Sequence, residues 1–278
     1  MVRWSLRKFL ILILLLILIL PAEIKIKIRI KSKKGDHPVL PSVRPCAHSP
    51  RPLEKKLLLF DIDGTLLTSG GAGERALRRG FQERFGIEDD LSTVEIAGRT
   101  DSGIARQMLA YHGLPETPEN LTAFFDGYLQ FLPEELPTSP GRLLPGILQL
   151  LEALKAREDI VLGLLTGNLA RGAEIKLTHY GVWHYFEFGA YADDHHDRNQ
   201  LGHFARQRAR ERHGIEFPPE RIFVLGDTPH DISCARAIGA KAVAIATGKF
   251  TVGELGPLGP DFLFPDLGDV SSVLKIFR

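Results

Sequence analysis

Four short apolar runs constrain this chain more than any other feature: Leu57–Phe60, Ile160–Leu165, Ile222–Leu225 and Ala242–Ile245. None alternates apolar with polar positions, so each reads as a strand covered on both faces, as in a parallel sheet. From Lys56 onward such runs alternate with helix-patterned stretches, which specifies an α/β fold with a parallel sheet. The first three runs each lead into a polar, glycine-containing cluster: Asp61-Ile62-Asp63-Gly64-Thr65, Thr166-Gly167-Asn168 and Gly226-Asp227-Thr228-Pro229-His230-Asp231. Ligands of open parallel sheets bind just beyond the carboxyl ends of the strands. Three clusters in that one topological place are expected to converge on one site.

Residues 70–140 break the alternation. They show helical periodicity in Glu74–Phe85, Ser102–His112 and Pro118–Phe131, and no good strand. The stretch reads as a helical insert between the first strand and the next helix of the main domain. Pro133, Pro137 and Pro140 mark the return, and Pro145 opens a helix Gly146–Lys155. The main domain is then residues 56–69 and 141–278.

Residues 1–55 differ from everything after them. Arg3, Arg7 and Lys8 precede an unbroken Leu/Ile run from Phe9 to Leu20, and Ile alternates with Lys or Arg from Ile24 to Ile30. A Lys- and Pro-rich linker follows. The apolar run has the length of a signal-peptide core and falls short of the roughly 20 residues a spanning helix needs. Two readings stand side by side. One is a membrane anchor or signal, with the positive-inside rule keeping the catalytic domain cytoplasmic. The other is upstream sequence read from a start assigned too early. Membrane contact is expected only through this segment, and neither reading brings chemistry. A net charge of +1 leaves no global basic excess for nucleic acid. Two cysteines, Cys46 and Cys234, do not make a disulfide framework and point to a reducing compartment.

Asp61 and Asp63, two residues apart at a strand end, can face the same side. A carboxylate is a competent nucleophile toward phosphorus and forms an aspartyl-phosphate. It needs a cation beside the phosphate it approaches, and Mg²⁺ suits a site of few carboxylates and substrate oxygens. The second carboxylate can protonate the leaving oxygen and then deprotonate water. A plain Asp/Gly turn is the competing reading. A calcium loop fits poorly, with Leu66 at its glycine position and Ala72 at its closing glutamate. Asp227 beside Asp61 and Asp63 sets like charges together, which a metal relieves; Asp231 is either part of that group or a first-turn partner of the helix dipole. Thr166, Gly167 and Asn168 suit a phosphate at a helix start, or merely cap that helix. Lys176 and Arg198 are the candidate cations for the phosphoryl oxygens, unless they are solvated surface charges.

In order and spacing, the DIDGT, TGN and GDTPHD clusters resemble those of the haloacid dehalogenase superfamily of phosphohydrolases. From Lys56 to Gly268 the chain looks like its phosphoglycolate phosphatase-like members. The resemblance implies a Rossmann-like core with a helical cap inserted after the first motif. It implies Asp61 as nucleophile and metal ligand, and Asp63 as acid/base with its backbone carbonyl on Mg²⁺. Thr166 would bind the phosphoryl group together with Gly167 and Asn168. Asp227 would be a ligand, and Asp231 would support the metal through water or outer contacts. Dehalogenases of the family lack the second aspartate and its ion-pumping ATPases carry Thr there, so Asp63 marks a phosphatase. One feature departs: where many relatives have Lys-Pro, this chain has Asp197-Arg198-Asn199. Lys176 is preferred to Arg198 as the phosphate-contacting cation, since a compact lysine charge is what the family uses. The function so implied is hydrolysis of a small phosphorylated metabolite, with phosphoglycolate the first candidate. Sugar-phosphate phosphatase or phosphomutase chemistry is the alternative, and a non-catalytic phosphate-binding regulator is the alternative of another class. Gly98-Arg99-Thr100-Asp101 is either a substrate-reading stretch of the insert or a polar helix start.

Overall fold

A computed structural model of the protein describes residues 55–278. The expectations for an anchor, signal or displaced start concern residues outside that range. Among the described residues eight strands appear in chain order: β1 (Lys56–Phe60), β2 (Leu67–Thr68), β3 (Arg142–Leu143), β4 (Ile160–Leu165), β5 (Gly189–Ala190), β6 (Ile222–Gly226), β7 (Lys241–Ile245) and β8 (Phe262–Phe264). Six of them form one parallel sheet in the order β5-β4-β1-β6-β7-β8. The four apolar runs are its central strands.

Both faces of that sheet are covered, which explains the missing alternation. Leu58, Phe60 and Leu225 face one hydrophobic core, closed by α4 (Ile147–Lys155) and α9 (Val270–Lys275). Leu57, Leu59 and Val224 face the other, closed by α6 (Arg198–His213) and α7 (Pro229–Ala237). The remaining helices of the sheet domain are α5 (Ala170–His179) and the short α8 (Val252–Leu255).

Between β2 and β3 the chain forms α1 (Ala72–Phe85), α2 (Asp101–Tyr111) and α3 (Pro118–Glu135). They pack on a third core that includes Phe81, Met108, Phe124 and Leu132. At the crossing of α1 and α3, Gly80 and Gly127 let the backbones meet; a Cβ on Gly80 would lie 2.4 Å from the carbonyl carbon of Gly127. The chain enters and leaves this region through an antiparallel pair, Leu67 opposite Leu143 and Thr68 opposite Arg142.

Three local expectations need correction. Pro133 does not mark the return, because α3 runs through it to Glu135; a proline so near the carboxyl end disturbs little of the helix that follows. Pro145 does not open a helix: Gly146, at φ 78°, is the N-cap and α4 starts at Ile147. Nor do Thr166 or Asn168 cap α5, whose N-cap is Leu169. Among the described residues no helix is long and apolar enough to cross a membrane.

Candidate active site

The three clusters meet at the carboxyl ends of β1, β4 and β6. Asp61 continues the line of β1, its amide donating to the Leu225 carbonyl at 2.9 Å. The chain then folds tightly, with the amides of Thr65, Leu66 and Leu67 all donating to the Ile62 carbonyl. Asp227 follows β6 directly, and Thr228 caps α7 in a reciprocal pair with Asp231. The Thr228 amide and hydroxyl both donate to Asp231 Oδ2, at 3.0 and 2.7 Å.

Asp61, Asp227 and Asp231 are buried and offer carboxylate oxygens within 4.8 Å of one another. Arg198, the first residue of α6, enters beside them. Its Nη2 lies 3.0 Å from Asp61 Oδ1 and donates to Asp231 Oδ1 at 2.5 Å, while Nη1 donates to the Gly98 carbonyl of the insert at 3.3 Å. Burial opposes the guanidinium charge, but Asp231 and Asp61 more than offset it. One cation does not balance three carboxylates. Burial pushes Asp61 up to about 6 despite Arg198. Burial, then the charges of Asp231 and Asp61, push Asp227 up to about 8. An all-oxygen set of three carboxylates against one cation fits a hard divalent cation such as Mg²⁺. Asp61 and Asp227 are the more available donors, since both oxygens of Asp231 are already engaged by Thr228 and Arg198.

Asp63 points elsewhere. Its Oδ2 accepts from Lys176 Nζ at 2.6 Å and from Asn168 Nδ2 at 2.9 Å. Asn168 also accepts from Lys176 at 2.7 Å and donates to Thr166 Oγ1 at 2.9 Å. The two candidate cations are therefore divided: Arg198 lies against Asp61, and Lys176 lies against Asp63. Lys176, the preferred candidate for the phosphate-contacting cation, thus meets Asp63, and Asp61 is met by Arg198. Arg198, at the first position of α6, enters the floor of the site directly, whereas Lys176 reaches the second carboxylate from within α5.

Asp61, Asp63, Asp227, Lys176 and Arg198 line a cavity of about 490 Å³, together with Gly167, Asn168 and residues of the insert. Thr166 is fully buried beneath Asn168 and is not among the lining residues. Larger hollows around Arg78 and around Arg206 include none of the residues of the three clusters. The Gly98–Asp101 stretch is a polar helix start, Thr100 capping α2 by accepting from the Gly103 amide, and Gly98 and Arg99 line the cavity. Asp101 binds back to the sheet domain, donating its amide to the Gly167 carbonyl and accepting the Leu169 amide at 2.8 Å. With Asp193, which accepts the Ala170 amide at 2.6 Å, it supplies the cap that α5 lacks locally.

Sequence reasoning missed Thr247, Gly248 and Lys249, which also line the cavity. Thr247 donates to the Gly64 carbonyl at 2.5 Å, and a Cβ on Gly248 would lie 1.7 Å from Asp227 Oδ2. The available signal was position alone, since these residues follow the fourth apolar run just as the other clusters follow theirs.

The chain matches the family model for haloacid dehalogenase-like hydrolases over residues 58–236, more than half its length. It is 27% identical over 227 residues to a protein named probable phosphatase IndB of Dickeya dadantii, covering 78% of this chain and 92% of the relative. It is 26% identical over 235 residues to a phosphoglycolate phosphatase of Vibrio vulnificus, covering 80% and 97%. A crystal structure described as a predicted phosphoglycolate phosphatase from Haemophilus somnus shares the fold, with a TM-score of 0.61 at 21% identity over 81% of this chain and 99% of that one. The chain belongs to the haloacid dehalogenase-like hydrolases, on the side of that family where its curated relatives are phosphatases.

Proposed function

We propose that this enzyme hydrolyses a small phosphate monoester in two steps, through an aspartyl-phosphate on Asp61. The observation that carries the reading is the division of the site into two paired centres on one cavity: Asp61 with Arg198, and Asp63 with Lys176. One carboxylate is seated to attack and the other to move a proton.

Asp61 attacks phosphorus while Asp63 gives its proton to the departing ester oxygen. Asp63 then takes a proton from water as that water attacks the phosphoryl group, and Asp61 is released. Arg198 stands where it can stabilise charge on the phosphoryl oxygens as well as orient Asp61. Asn168 and the backbone of Gly167 face the same space, with Thr166 supporting Asn168 from below. Mg²⁺ would be held by Asp61 and Asp227, with Asp231 behind them and the Asp63 carbonyl as the family's further contact; when bound, it neutralises the phosphate against the carboxylates.

Residues 70–140 serve as a cap over the core formed by 56–69 and 141–278, with the β2–β3 pair as its base. A cavity of about 490 Å³ suits a small ester. Phosphoglycolate leads the candidates, because a curated relative spanned almost end to end carries that activity in its name. The test is turnover of an aryl phosphate and a panel of phosphate esters including phosphoglycolate, with Mg²⁺ and in excess chelator. Turnover should require Mg²⁺ and disappear in Asp61→Asn. Strong turnover in chelator, or a near-normal Asp61→Asn enzyme, would overturn the mechanism. No turnover of any ester would favour a phosphate-binding regulator.

A further inference from the structure

Lys176 is buried and charged, and nothing in the reaction just described gives it more than a neighbour. Its ammonium donates to Asp63 Oδ2 at 2.6 Å and to Asn168 Oδ1 at 2.7 Å, both from the sheet domain. Each helix of the insert also contributes a residue near it. Gly73 of α1 closes over it, so that a Cβ there would lie 3.6 Å from Nζ. Asp101, at the start of α2, lines the same cavity and holds the Leu169 amide just before α5, and the Tyr128 hydroxyl of α3 would lie 3.6 Å from a Cβ on Gly172, one turn before Lys176. The Asp63 side chain, by contrast, remains 39% exposed where Lys176 is 5% exposed. The proton-transfer group is therefore open to the cavity, and the group that anchors it sits under the insert.

We propose that Lys176 is a positioning residue: it holds the Asp63 carboxylate in place for proton transfer, and it does so only while all three insert helices are seated on the core. This rests on the roles given to Asp61 and Asp63 above. With Lys176 5% exposed, water screens the pair from the Asp63 side alone, and less than it would at an open surface. Lifting the insert takes Asp101 and Tyr128 away and admits water to the ammonium. An exposed lysine–carboxylate pair holds its geometry weakly. Seating the helices on a substrate therefore orders Asp63 as it encloses the ester, so that an empty, open site is a poor acid/base.

Leaving-group dependence tests this. Para-nitrophenolate departs without a proton, whereas an alkoxide needs one from Asp63. Single-turnover formation of a hydroxylamine-labile phosphoenzyme is measured from para-nitrophenyl phosphate and from an alkyl phosphate, for wild type, Lys176→Met and Tyr128→Phe. The expected loss in Lys176→Met is on the order of a hundredfold with the alkyl ester, and much smaller with the aryl ester. Inhibition by inorganic phosphate should be unchanged. Tyr128→Phe removes one hydroxyl from the insert side and should shift the same ratio in the same direction, less strongly; it keeps the test alive if Lys176→Met does not fold. Equal losses on both esters, or no loss in either variant, would overturn the proposal. Absence of any phosphoenzyme in the wild type would overturn it together with the role of Asp61, whereas a wild-type phosphoenzyme with unchanged ratios in the variants overturns the proposal alone.

Discussion

At the scale of the residue, the site is set by how many carboxylates share how little water. Asp61 and Asp227 are pushed up to about 6 and about 8 from an ordinary value of 3.8, with burial as the first cause in both. A carboxyl that binds its proton more tightly folded than unfolded gives stability that is complete below its unfolded value and is lost as pH rises through its folded value. In chelator, then, these two groups make the protein progressively less stable from about pH 4 to pH 8. A divalent cation binds the deprotonated forms and offsets that loss. The stabilisation given by a fixed, saturating Mg²⁺ concentration should therefore grow between pH 5.5 and pH 8. Thermal unfolding with Mg²⁺ and with chelator across that range measures it. Equal stabilisation at both ends would mean that the free site does not hold its protons. Arg198 is the residue that keeps this cluster tolerable without metal, and its pairing with Asp61 was not legible in the sequence. Both Arg198 and Lys176 stood out as cations, but which carboxylate each one meets depends on how α5 and α6 dock against the sheet, and no local pattern records that.

The elements show the same division between what is local and what is not. The crossing of α1 and α3 depends on Gly80 and Gly127 having no side chains. A Cβ at Gly80 would meet three backbone atoms of Gly127 and Tyr128 at 2.4–2.7 Å, and backbone cannot turn aside as a flexible side chain can. Alanine is the better helix former by about 1 kcal/mol, but forcing the helices apart costs roughly 1–3 kcal/mol and strips packing from the third core. The clash should win, so Gly80→Ala is expected to lower the melting temperature. Gly73→Ala, on the same helix with only the 3.6 Å contact to Lys176, should not. Calorimetry of the two variants decides it, and equal melting temperatures would show that the crossing has room to spare. The helices α1 to α4, and the four central strands, were legible because each is a run of side chains whose periodicity matches its own burial. β2, β3 and β5 are two residues each and carry no period at all. The cap of α5 was equally hidden, because Asp101 and Asp193 supply it from distant parts of the chain.

At the scale of the whole molecule, the described residues close their own structure. β1 lies between β4 and β6, and its first residue is already fastened, with the Lys56 amide donating to the Asp159 carbonyl at 2.8 Å. Phe277, one residue from the carboxyl end, is fully buried in the sheet domain, and Arg157 donates to its carbonyl. Every residue given a role in the reaction lies between Asp61 and Asp231. The large apolar side chains left exposed among the described residues are Tyr111, Leu148, Val252 and Leu258, which do not come from one element. A chain beginning at Arg51 is therefore expected to fold and to keep its kcat/KM. It should also be the more soluble form, because Phe9–Leu20 contains no charged residue and an uncovered run of that kind promotes association. The comparison needs the full chain and the shortened one, prepared alike, with turnover, melting temperature and sedimentation measured on both. If the shortened chain aggregates, or loses most of its kcat/KM while the full chain keeps it, the first fifty residues belong to the fold after all.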